Sequence, residues 1–177
     1  MDGNWDVSPD TAESIDVTNS AEDWLTVSVG PMTGELIGLK LEVYDLLAMY
    51  GDATDRRDEQ LMRRVFCADA TFSYGPSRYD GIEDLVAARR ALNDKFRRLH
   101  HWVAMPLVET TPDGVIRSMA LFQNQHFMHS GNRYTVWGRY LDQIVREADG
   151  LLRIKSRRVV MHDYVGTDNQ YVMLDEQ

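Results

Sequence analysis

The sequence predicts an α+β fold, with helices gathered before residue 99 and a sheet after it. Three observations predict it. From Gly34, apolar residues recur at spacings of three and four. After Leu99 the spacing changes to two. The alternating runs are separated by short strings, TTPDG, SGN and ADG, that carry the Gly or Asn of tight turns. Helices followed by long antiparallel strands place the helices against one face of a curved sheet.

Taken in order, residues 1–33 read as an acidic, loosely docked arm with no sustained periodicity. Residues 1–35 hold eight acids and no Lys or Arg, so of the 28 acids in the chain 20 remain, against 19 bases. The net charge of −9 therefore belongs to the arm, and it argues against nucleic acid or an anionic membrane as a partner. Trp5 and Trp24 suggest that part of the arm packs on the domain or on a neighbouring subunit. The first helix carries Leu36, Leu39, Val43, Leu46, Leu47 and Tyr50, and the string YGDATDRRD interrupts it. A shorter helix, DEQLMRRVFCAD, turns Leu61, Val65 and Phe66 inward, and Cys67 reads there as a small core residue. ATFSYG is a short strand. The third helix enters through Asp80-Gly81 and carries Ile82, Leu85, Val86 and Leu92 on one side; the basic residues of ARRALNDKFRR read as its solvated face.

Four long strands follow: LHHWVAMPLVE, VIRSMALFQNQHFMHS, NRYTVWGRYLDQIVRE and LLRIKSRRVVMHDYV. Residues 34–165 form one domain, and 166–177 a tail. No apolar run approaches the roughly 20 residues of a membrane span. The acidic start does not resemble a secretory leader. The single cysteine precludes an internal disulfide and agrees with a cytoplasmic location. There is no phosphate-binding or dinucleotide-binding glycine pattern. His126 and His129, three apart on a strand, face opposite ways and make a poor metal pair, so no metal site is expected.

Several strings in order resemble the SnoaL-like branch of the nuclear transport factor two-like (cystatin-like) superfamily. They are Y-x-x-A-x-D-x-R-D (Tyr50, Ala53, Asp55, Arg57, Asp58), F-x-A-D-A-x-F (Phe66 to Phe72), Y-D-G before the third helix, H-W-V from His101, W-G-R-Y-x-D (Trp137 to Asp142) and I-K-S-R-R-V (Ile154 to Val159). The resemblance implies a cone, in which a strongly bent, mainly antiparallel sheet encloses an apolar cavity. It also implies a site. In dehydratase and dehydrochlorinase members an Asp at the end of the first helical segment pairs with a His on the first long strand, and Asp55 and His101 stand at those positions. A neutral imidazole titrates near pH 7 and removes a proton from carbon; a carboxylate on its other nitrogen fixes the tautomer and stabilises the imidazolium. Strand parity allows only one of His100 and His101 in a pocket. His101 shares a face with Val103, Met105 and Leu107, and the resemblance selects it.

The resemblance further implies that Tyr74 and His126 contact the reacting oxygens, and Tyr50, Trp137 and Arg139 complete the substrate-binding set. Scytalone dehydratase has Tyr before its Asp where this chain has Thr54. The expected activity is a cofactor-independent lyase, of dehydratase type, acting on a hydrophobic cyclic or polyketide-like molecule. An isomerase or cyclase would share its first step. The alternative class is a non-catalytic small (beta) subunit of a Rieske-type ring-hydroxylating oxygenase. A homo-oligomer, dimer or trimer, is expected.

Overall fold

The structure, a computed structural model, describes residues 31–166. The acidic arm, but for residues 31–33, and the tail, but for Gly166, lie outside the described residues.

The first helix, α1 (Gly34–Arg56), follows the predicted period, burying Val43, Leu46, Leu47 and Tyr50. Thr33 caps it, its hydroxyl accepting the Leu36 N–H at 3.2 Å. YGDATDRRD does not interrupt it, contrary to the sequence reading. Gly51, Ala53 and Thr54 extend the buried stripe with small residues, so the helix continues to Arg56. It ends where Arg57 adopts a left-handed backbone, φ 59°, and returns its N–H to Ala53 and Thr54. Asp58 at once caps α2 (Glu59–Val65) by accepting the Leu61 N–H at 2.9 Å.

α2 is shorter than expected. Met62 and Val65 are buried in it, whereas Phe66 and Cys67 already belong to β1 (Phe66–Tyr74). A hairpin not foreseen from the sequence, turning at Gly75 with φ 53°, joins β1 to β2 (Ser77–Asp80). Next comes α3 (Ile82–Asn93), which buries Ile82, Leu85 and Val86.

The expected strand LHHWVAMPLVE divides into β3 (Phe96–Val103) and β4 (Leu107–Thr110). The break includes Pro106, which has no N–H to donate to a ladder. Parity therefore ends at Val103, and Met105, expected beside His101, is 52% exposed. β5 (Ile116–Met128), β6 (Arg133–Arg146) and β7 (Leu152–Gly166) form the predicted meander.

The sheet has seven strands in the order β2-β1-β7-β6-β5-β3, with β4 beside β5; β1 runs parallel to β7 and every other pair is antiparallel. Register shifts at Phe66/Thr71, Phe96/Arg98, Trp137/Gly138 and Gln143/Ile144 help to curl it, because a bulged strand bends and its twist increases. At Gly138 the strands approach so closely that a Cβ would lie 2.2 Å from the Val160 carbonyl oxygen and 2.7 Å from Phe122 Cζ.

Among the described residues, one ion pair lies fully inside the core. Arg157 of β7 and Asp142 of β6 are both fully buried and joined by two hydrogen bonds of 2.7 Å. The guanidinium lies between two rings, 4.2 Å from the Tyr50 centroid and 4.3 Å from that of Tyr140. Burial opposes its charge, but Asp142 outweighs burial and holds Arg157 above its ordinary pKa. Removing one partner leaves an uncompensated buried charge. Arg157→Met is therefore expected to destabilise the protein by about 3–5 kcal/mol. Asp142→Leu combined with Arg157→Met should recover most of that loss. Urea unfolding of the three proteins checks this; an additive loss in the double variant would refute it.

Candidate functional site

The concave side of the sheet and the helices enclose a cavity of about 110 Å³. Aromatic rings supply much of its wall: Tyr50 from α1, Phe72 and Tyr74 from β1, Phe122 from β5, Tyr134 and Tyr140 from β6. His101 and His126 enter from β3 and β5, and α3 contributes Leu85, Arg89 and Leu92. The volume is of the order of the roughly 150 Å³ that holds a benzene ring in other proteins.

Asp55 and His101 meet across α1 and β3. Asp55 Oδ1 lies 2.7 Å from His101 Nδ1, and Oδ2 accepts the His101 backbone N–H at 3.0 Å. The two bonds fix the carboxylate in orientation and in plane. Gly51 faces His101 here: a Cβ on it would lie 3.5 Å from His101 Cβ, at ordinary contact distance. An ionised carboxylate only accepts, so Nδ1 carries the proton and the Nε2 lone pair is left as the basic site. The His101 side chain is 2% exposed and Asp55 21%. Burial lowers the pKa of His101, and Arg89 and Arg157 add to that; the Asp55 hydrogen bond opposes them without reversing the result. The imidazole is therefore neutral at pH 7. His100, the adjacent residue, is 58% exposed, with Nδ1 3.7 Å from Asp55 Oδ2.

The other sequence-predicted residues separate into two groups. Tyr50, Tyr74 and His126 line the cavity. The Tyr50 hydroxyl accepts a 2.5 Å hydrogen bond from Arg89, and the Tyr74 hydroxyl lies 3.5 Å from Met161 Sδ. His126 stacks on Tyr134 at 4.4 Å between centroids and stands 6.1 Å from the His101 ring. Its Nδ1 is buried with no hydrogen-bond partner, and burial, with the charges of His101 and Arg89, lowers its pKa to about 3. Trp137 and Arg139, in contrast, are not brought to the cavity. Along β6 the inward residues are Tyr134, Val136 and Tyr140, and Trp137 and Arg139 take the opposite parity. Trp137 instead donates to Gln123 of β5 at 3.2 Å, opposite it in register.

Among the cavity residues missed from sequence are Asn124 and Arg89. Asn124 donates to the Tyr140 hydroxyl at 2.9 Å and leaves its own Oδ1 buried without a partner. Its signal was parity, for it lies two residues before His126 on β5. Arg89 was assigned to a solvated face, yet spacings of four from Leu85 and three to Leu92 put it on the apolar stripe of α3. Among the described residues, no cluster of three His, Cys, Asp or Glu side chains has the arrangement to hold a metal ion. No helix among them is long and apolar enough to cross a membrane.

The two buried histidines make stability depend on pH. Both have folded pKa values below the unfolded 6.5. The unfolded chain therefore binds more protons between those values, and stability, complete above pH 6.5, falls as pH drops through this window. The loss from His126 alone approaches about 1.4 kcal/mol per pH unit. Urea unfolding between pH 7 and 4.5, above the range in which Asp149, held at about 2, responds, should show this slope. His126→Phe should make it shallower, leaving the share of His101; an unchanged slope in that variant would refute the assignment.

Comparison with known proteins agrees with this architecture. The model of the SnoaL-like domain family matches residues 37–158, more than half of the chain. Among solved structures, Kfla4162 protein from Kribbella flavida is 25% identical with a TM-score of 0.66, covering 75% of this chain and 95% of its own. A Novosphingobium aromaticivorans protein assigned as a scytalone dehydratase is 15% identical with a TM-score of 0.69, covering 77% and 91%. Hexachlorocyclohexane dehydrochlorinase LinA-type3 from Novosphingobium barchaimii is 14% identical with a TM-score of 0.65, covering 75% and 92%. No curated protein matches the chain. The family match and the helices closed over a curled mixed sheet agree, and the chain belongs to the SnoaL-like domain family, with the nuclear transport factor two-like cone fold.

Proposed function

We propose that this protein is a cofactor-independent lyase of the dehydratase type, acting on a hydrophobic cyclic, polyketide-like ketone through Asp55 and His101. The observation that carries the reading is the 2.7 Å contact of Asp55 with Nδ1 of a buried, neutral imidazole in a cavity wall. A carboxylate on one nitrogen of a dry imidazole leaves the other nitrogen free to act as a general base.

In the proposed reaction, His101 Nε2 removes the proton next to the substrate carbonyl. The electron pair moves into the carbonyl, and the enolate then expels the β-hydroxyl as water with the proton that Nε2 has taken. Asp55 keeps Nδ1 protonated and stabilises the imidazolium between the two steps. The lowered proton affinity of His101 makes its conjugate acid a strong donor to the leaving group. His126 and Asn124 offer neighbouring buried polar atoms without protein partners, and Tyr74 places a hydroxyl on the same wall. These groups suit the carbonyl and hydroxyl of such a substrate. Isomerisation or cyclisation would begin with the same proton abstraction.

The assembly is proposed as a homo-oligomer, dimer or trimer, in the cytoplasm. Support comes from Trp102, Met105 and Leu121, large apolar side chains about half exposed around β3 and β5.

The decisive measurement is deuterium exchange and water loss by NMR on a panel of cyclic β-hydroxy ketones. The wild type is expected to catalyse both. His101→Ala and Asp55→Asn are each expected to lower the rate by about 10²- to 10⁴-fold. Full activity in both variants would remove the pair from the mechanism. Inactivity of the wild type, with co-purification of a large iron–sulfur partner, would favour the binding-subunit alternative.

A further inference from the structure

Arg89 is part-buried among rings and, among the described residues, has no counter-ion. Its neighbour Arg90 turns outward and pairs with Glu59 through two 2.7 Å bonds, and Arg63 pairs likewise with Glu83. Arg89 turns inward. Its Nη2 donates to the Tyr50 hydroxyl at 2.5 Å, and its Cζ lies 5.6 Å from the Phe72 centroid and 5.9 Å from that of Tyr50. A single hydroxyl partner does not offset the charge. Among the described residues, no carboxylate pairs with Arg89 and none lines the cavity. A guanidinium carries five N–H donors, and Tyr50 takes one. The rest of that fork, in a largely apolar wall, suits two oxygens that share a negative charge.

We propose that Arg89 is an oxyanion receptor that selects substrates bearing a carboxylate, or an enol oxygen of comparable acidity, over neutral ones. The proposal rests on the reading of this cavity as a substrate site. It deepens that reading by giving the substrate a charge. The electrostatics are consistent with it: the Arg89 charge bears on His101 and His126 and disfavours their protonation, and a docked anion would relieve that effect.

Benzoate and benzamide test the idea, because they share a ring and a shape and differ in charge. Calorimetric titration of the wild type is expected to show benzoate binding about tenfold or more tightly than benzamide. Arg89→Gln should bind the two alike, and Arg89→Lys should keep part of the preference. In ¹⁵N NMR of the wild type, the Arg89 side-chain resonance should move with benzoate and not with benzamide, which needs no variant to fold. Equal affinity in the wild type, no binding of benzoate, or a preference undiminished in Arg89→Gln would each overturn the proposal. The probes do not react, so the outcome is independent of the deuterium-exchange result. Loss of the benzoate preference would leave the Asp55–His101 mechanism intact, and failure of that mechanism would leave a selective anion pocket.

Discussion

The buried bond between Arg157 and Asp142 is the constraint on which the rest of the interior depends. Two charges withdrawn from water persist only when each finds its partner and its remaining hydrogens find suitable surroundings. Asp142 supplies the first through two 2.7 Å bonds, and the faces of Tyr50 and Tyr140 supply part of the second. That requirement fixes α1 over β6 and β7, because Tyr50 must lie on the guanidinium. Tyr140 in turn stacks on Phe122 at 4.3 Å, and Tyr50 meets the edge of His101 at 6.0 Å. A line of packed rings thus runs from the core charge to the cavity. The positions of the site side chains are set by the need to keep one arginine solvated by protein.

The same dryness gives the two adjacent histidines of LHHWV opposite fates. On a strand, neighbouring side chains point to opposite faces. His100 is exposed, while His101 loses nearly all of its water. Burial lowers the proton affinity of His101, and without a carboxylate on Nδ1 its imidazolium would be costly to form. Asp55 supplies that carboxylate, 2.7 Å from Nδ1. His126 shows the other case: largely buried, it has no carboxylate partner, and burial lowers its pKa to about 3.

Much of this was legible in the sequence, for physical reasons that also explain what was not. Periods of 3.6 and 2 are imposed by backbone geometry, so α1, α3 and the β5–β6–β7 meander could be read directly. The Asp55–His101 contact joins residues 46 apart, and only the resemblance selected His101 over His100. Boundaries failed where small residues or proline mattered: α1 passed through Gly51 because the helix packs there against β3, and Pro106 divided a strand. Trp137 and Arg139 were grouped by their string, yet their parity is opposite to that of Val136 and Tyr140, and parity decides which face a side chain takes. Arg89 was misplaced because its charge was weighed above its position. Consecutive helical residues are about 100° apart, so Arg89 and Arg90 could never share a face.

The placement of charge around the cavity bears on the proposed reaction as a whole. Removing a proton from a carbon acid creates an imidazolium on one side and an enolate on the other. A fixed cation in the wall, Arg89, opposes the first charge and favours the second. A fixed anion behind the imidazole, Asp55, does the reverse for the base without contributing a carboxylate to the cavity lining. The two fixed charges therefore act on different halves of one separation of charge, and neither has to reorganise as it develops. Were Asp55 inside the cavity, it would repel the enolate of the proposed reaction. Were Arg89 paired with it, both effects would cancel. That α1 holds the carboxylate behind His101 while α3 holds the guanidinium among rings is the arrangement under which the proposed enolisation gains from both.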